Sequence, residues 1–83
     1  KKKDREEGIE ERPVTEEQKA RIAELRRVYE AKLAEREILY QSARRKAADV
    51  EALDKVEEEY RRDRERIASE RDRKIDEARS GKA

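Results

Sequence analysis

Eighty-three residues leave room for one small domain, and a chain that is 57% charged and 33% apolar has little with which to fill a core. Its aromatic residues are Tyr29, Tyr40 and Tyr60, with no Phe, Trp or Met, so it lacks the bulky side chains that a β-sandwich or an α/β domain buries. A formal net charge of +1, with both signs interspersed, provides no global field that would select nucleic acid or an anionic membrane, and the absence of Cys and His removes thiol chemistry, the neutral-pH base and the commonest metal ligand.

No enzymatic activity, cofactor, metal or small-molecule substrate is therefore expected. No window approaches the ~18 consecutive apolar residues of a membrane span, and the charged run from Lys1 to Glu7 is not followed by the apolar stretch of a signal peptide. A soluble, cytoplasmic protein without a membrane partner is expected. The chain starts on Lys1 rather than Met, which reads as a processed or excised form and leaves open whether it is a fragment of a larger protein.

Residues 1–14 carry five cations and five carboxylates, are interrupted by Gly8 and lead to Pro13, and they read as a flexible charged lead-in. Thr15-Glu16-Glu17-Gln18 then fits a capping box, in which the Thr hydroxyl and the Gln side chain satisfy each other's backbone amides. From there to Ser80 the chain contains neither Gly nor Pro and is dominated by strong helix formers, which argues against the disorder that such a charge fraction would otherwise suggest.

Helix one is predicted over about 15–47. Ile22, Leu25, Tyr29, Leu33, Tyr40, Ala43 and Ala47 recur at the three-four spacing of a single helical stripe, with Arg36 in the missing position. Helix two, over about 49–79, repeats the pattern with Val50, Leu53, Val56, Tyr60, Ile67 and Ile75, and with Arg64 and Arg71 in its gaps. Asp49 is the candidate cap between them, and Gly81 opens a short tail, 81–83. A domain of residues 15–80 results.

An alignment test assigns the topology. When facing residue numbers add to about 96, Ile22 meets Ile75, Tyr29 meets Ile67, Arg36 meets Tyr60, Tyr40 meets Val56 and Ala43 meets Leu53. The flanking pairs Lys19–Glu77, Arg26–Glu70, Glu30–Arg66 and Lys32–Glu65 are of opposite sign, whereas Glu37 faces Glu59. Residues 15–48 hold nine cations and six carboxylates, and residues 49–83 hold ten and twelve, so the two halves attract. A parallel dimer would instead set Arg21 against Arg26 and Asp49 against Asp54. The expected fold is all-α, an antiparallel two-helix coiled-coil hairpin; one continuous helix forming an antiparallel dimer makes the same contacts and is the alternative. Glu–basic pairs four residues apart, Glu17–Arg21, Glu51–Lys55, Glu57–Arg61, Glu58–Arg62 and Glu70–Lys74, are expected to support the helices.

The candidate partner-binding stripe is thus Ile22, Leu25, Tyr29, Leu33, Arg36, Tyr40, Ala43, Leu53, Val56, Tyr60, Ile67 and Ile75. Its tyrosines are expected in the seam, with Arg36 against the Tyr60 ring. Val28, Ile38 and Leu39 lie off this stripe and form a candidate second face. The function these features imply is protein association, with a second copy of the chain included as a homodimer. The alternative is a nucleic-acid-binding hairpin that contacts phosphates through Arg44, Arg45 and Lys46 at its tip, with Lys1-Lys2-Lys3 as a second basic cluster.

Overall fold

The computed structural model describes residues 13–81. The lead-in expected over 1–14 lies outside the described residues apart from Pro13 and Val14, as does the tail after Gly81. The described chain is two helices, α1 (Glu16–Lys46) and α2 (Val50–Arg79), with no strand among the described residues.

Each helix starts where its cap dictates. Thr15, in extended backbone, accepts from the Gln18 amide at 3.0 Å, and the Gln18 side chain accepts from the Thr15 amide at 2.8 Å, so both halves of the capping box are closed. Glu16 and Glu17 in the first turn and Arg44, Arg45 and Lys46 in the last complement the dipole of a 31-residue helix about 46 Å long. Ala47 is extended (φ −64°, ψ 129°) and ends α1; Asp49 then caps α2 by accepting from the Ala52 amide at 2.9 Å. The chain thus turns over three residues without Gly or Pro and does not run on as one helix. At the far end Ser80 follows α2, and Gly81 adopts φ +81°, a left-handed conformation that any side chain would strain.

The return is antiparallel: Gln18 bonds Ala78, Tyr29 bonds Glu70, Arg36 bonds Asp63, and Tyr40 bonds Glu57. The result is an all-α helical hairpin. In those pairs the residue numbers add to between 96 and 99, beside the sum of about 96 that the pairing pattern predicts.

The charged flanks differ from expectation. Among the described residues, none of Lys19–Glu77, Arg26–Glu70, Glu30–Arg66 or Lys32–Glu65 forms an ion pair, because helical phase places the two members of each pair on opposite flanks of the seam. Glu77 is held by Arg73, Glu65 by Arg61, Arg66 by Asp63, and Glu70 by Lys74 and the Tyr29 hydroxyl. Each of these charges is left to ionic partners three and four residues away on its own helix. Of the expected pairs within one helix, Glu58–Arg62 (3.2 Å) and Glu70–Lys74 (3.9 Å) form. Glu57 reaches across to α1 instead, and Arg61 bonds Glu58 at 2.8 Å.

Candidate functional site

The seam between the helices has three zones, each with its own chemistry. At the open end, Ile22, Ile75 and Ala78 form a buried cluster, with Val14 and Leu25 packed against it. Val14, which the sequence pattern assigns to the lead-in, is half-buried here. Gln18 ties this end together: beyond its role in the capping box, its side-chain amide donates to the Ala78 carbonyl at 3.0 Å and approaches the Arg79 carbonyl at 3.4 Å. One side chain therefore satisfies the start of α1 and supplies a donor to the carbonyls at the end of α2, where the Ala78 carbonyl also accepts from the Gly81 amide. Gln18→Ala is expected to lower stability by about 1 to 2 kcal/mol, read as a lower thermal midpoint, whereas Gln18→Glu keeps the acceptor but loses the donor to α2 and should recover only part of it.

In the middle zone Tyr29 is 2% exposed, and its hydroxyl donates to Glu70 at 2.9 Å. The Lys32 ammonium sits 4.6 Å from the Tyr29 ring centre. Arg36 occupies the arginine gap of the stripe, and its Nε donates to Asp63 at 2.8 Å, with both side chains partly shielded. Toward the turn, the Tyr40 and Tyr60 rings stack with centroids 4.0 Å apart and planes within 10°. The guanidinium groups of Arg36 and Arg64 lie 5.5 and 5.7 Å from the Tyr60 ring, within cation–π range. Tyr40 Oη donates to Glu57 at 3.3 Å, and Arg44 stands 4.0 Å from the same carboxylate.

Of the stripe residues read from the sequence, Ile22, Tyr29 and Ile75 are buried, while Leu25, Leu33, Arg36, Tyr40, Ala43, Leu53, Val56, Tyr60 and Ile67 are half-buried. A two-helix contact covers one side of such a stripe and leaves its margins open. The candidate second face divides: Val28 is half-buried, whereas Ile38 and Leu39 are 68% and 63% exposed. Adjacent positions point about 100° apart on a helix, so Ile38 and Leu39 do not share one surface. Arg44, Arg45 and Lys46 are all exposed in the last turn of α1. The sequence reading missed Ala78 and Asp63, and it paired Glu70 with Lys74 and Arg26 but not with Tyr29. Ala78 was legible, since it follows Ile75 at three-residue spacing; the cross-seam partners of the two carboxylates carried no signal until the register placed Arg36 and Tyr29 beside them.

The titration behaviour follows these contacts. Hydrogen bonds from Arg66 and Arg36 hold Asp63 below the usual carboxylate range; Tyr29 does the same for Glu70, and Arg61 for Glu58. Burial, then the neighbouring Glu70, pushes the Tyr29 phenol up. Carboxylates depressed in the folded state stabilise it above their unfolded pKa, and this contribution is lost as pH falls through the folded values; a raised phenol stabilises below its unfolded pKa and ceases to do so as pH climbs past about 10. The thermal midpoint is thus expected to be flat from about pH 5 to 9 and to fall on both sides, with a shallower acid limb in Asp63→Asn.

One flank of the seam forms an open trough. Arg26, Glu30, Leu33, Arg71 and Ile75 line its first part, and past Leu33 and Arg71 it continues to Tyr60, Arg64 and Ala68. No group of three potential metal-ligating side chains occurs among the described residues, and no helix there is long and apolar enough to cross a membrane. No protein-family model, curated protein or solved structure matches the chain.

Proposed function

We propose that the hairpin is a non-enzymatic coiled-coil module whose activity is association with protein, a second copy of itself included. The observation that supports this most directly is the half-buried stripe: nine of its twelve residues keep part of their surface open after the two helices have packed. Apolar margins of this kind are what a further helix covers in a bundle. The carboxylates argue in the same direction. A general acid at neutral pH needs a raised pKa in a desolvated pocket, whereas Glu58, Asp63 and Glu70 are all shifted down and the troughs are open. Replacing Tyr29 and Ile67 together by Asp should abolish helical circular dichroism and association in parallel; retention of both by the double variant overturns the reading.

Nucleic acid is the second reading, favoured by one observation. Arg45 and Lys46 are exposed beside the turn and form no ion pair among the described residues, and Arg44 holds its carboxylate only at 4.0 Å. Phosphate contacts of that kind weaken steeply with salt. Binding of a labelled duplex at low salt that disappears when Arg44, Arg45 and Lys46 are replaced by Glu is the expected sign of this activity, and no binding at low salt removes it. Neutralisation of the α1 carboxyl end accounts for the same three cations without any ligand.

A further inference from the structure

The two flanks of the seam differ in how their charges are arranged, and the difference points to a particular partner. Buried Ile22 and Tyr29 on α1, with Ile75 and Ala78 on α2, mark the directions in which the helices face each other. At about 100° per residue the remaining positions fall to one side or the other. On the trough flank each wall mixes the two signs, with Arg26 and Glu30 on α1 and Arg71 and Asp72 on α2.

On the opposite flank the balance of signs differs between the walls. The α1 wall presents Arg21, Lys32 and Lys46 beside Glu17 and Glu35, and the α2 wall presents Glu59, Asp63, Glu70 and Glu77 beside Lys74, so the first is net positive and the second net negative, with Asp63 also engaged by Arg36 and Arg66 and Glu70 by Lys74 within the hairpin. Between these charges lie Val28, Leu39 and Ala43 of α1 and Val56 and Ile67 of α2, all half-buried except Leu39, which is 63% exposed. The flank therefore interleaves apolar residues with a net positive charge on α1 and a net negative charge on α2.

The accessible surface is 6410 Å². A compact monomer of 9.9 kDa would expose about 5,200 Å², so the hairpin, elongated to 59 × 24 × 19 Å, shows roughly 1,200 Å² more than a compact body of that mass. Specific interfaces take about 800 Å² from each partner, and the long face of the hairpin, 59 × 24 Å in extent, is large enough to supply it.

We propose that a second copy of this chain docks on the flank opposite the trough, related by a two-fold axis parallel to the helices. Each α1 then lies against the partner's α2, antiparallel, and both turns stand at the same end of a four-helix bundle. The charge pattern selects this arrangement. A two-fold axis across the helices would lay α1 on α1 and α2 on α2, net positive wall on net positive wall, or set α1 parallel to α2 with the turns at opposite ends. The proposal rests on the protein-association reading and adds to it the partner's identity, the face and the orientation.

Because the chain has no Cys, Ala48→Cys in the exposed turn can be spin-labelled at a single site. Dipolar distance measurement on the labelled protein should give roughly 20 Å between turns, the scale of helices packed 8 to 10 Å apart. Turns at opposite ends would be separated by roughly 45 Å, the length of α1. Leu39→Asp should raise the dimer dissociation constant at least tenfold, while Ile38→Asp, the same change at an equally exposed neighbour off this flank, should leave it within about twofold. A separation near 45 Å, equal loss from both variants, or a monomeric parent chain overturns the proposal. A monomeric chain that the double substitution at Tyr29 and Ile67 still unfolds removes the second copy alone and leaves association with a different protein in place.

Discussion

Tyr29→Ala is expected to remove most of the helical circular dichroism at micromolar concentration, whereas Tyr29→Phe should keep nearly all of it. Tyr29 is 2% exposed and is the only buried aromatic side chain among the described residues, so truncation deletes the largest single block of packed surface in the seam. Losses of about 3 to 5 kcal/mol are typical for large aromatic residues cut to Ala, and a hairpin with four buried residues has little stability beyond that. The Phe variant keeps the packing and loses the hydroxyl. Glu70 then retains Lys74 at 3.9 Å and access to water, so the cost should stay near 1 kcal/mol. Thermal melts of the three proteins check the ranking. Equal destabilisation by Phe and Ala would mean that the hydrogen bond to Glu70, not the ring, holds the middle of the seam.

The second large effect is expected at the open end. Ile22, Ile75 and Ala78 form the one buried cluster among the described residues, and it lies where the two helices are not joined by a turn. Ile75→Ala should cost about 2 to 4 kcal/mol, but the loss should be local before it is global. Without the isoleucine, the Gln18 bonds to the Ala78 and Arg79 carbonyls lose the packing that orients them. Amide exchange should then accelerate in the first turns of α1 and the last turns of α2, while the segments beside the turn, held by the Tyr40–Tyr60 stack and the Asp49 cap, keep their protection. Uniform acceleration along both helices would show instead that the hairpin opens as a single cooperative unit.

Much of the fold could be read from the chain because local signals and long-range pattern agreed. Thr15 and Gln18 announced the start of α1, Asp49 the start of α2, and the two stripes could face each other in one antiparallel register. The side-chain chemistry at the margins could not be read as well, for a physical reason. Pairing by residue-number sum sets which charges lie at one level but not which flank each occupies, and among the partners on one flank sequence spacing does not rank them. Glu70 was assigned to Arg26 and is held by Tyr29 and Lys74; Glu57 was assigned to Arg61 and faces Tyr40 and Arg44. Gln18 illustrates the same limit, since its role at the α1 start follows from four consecutive residues but its second role depends on where a carbonyl sixty residues later comes to rest. The candidate second face failed as a unit because Ile38 and Leu39 were grouped by hydropathy, and helical phase separates them.

Molar mass by light scattering, taken across a dilution series with helical circular dichroism recorded on the same samples, tests most directly whether the open stripe is an association surface. A mass of about twice 9.9 kDa that falls toward the monomer on dilution, with helicity falling alongside it, is the expected result. A mass of 9.9 kDa at every concentration with helicity undiminished would contradict self-association, since two helices would then suffice to hold the fold.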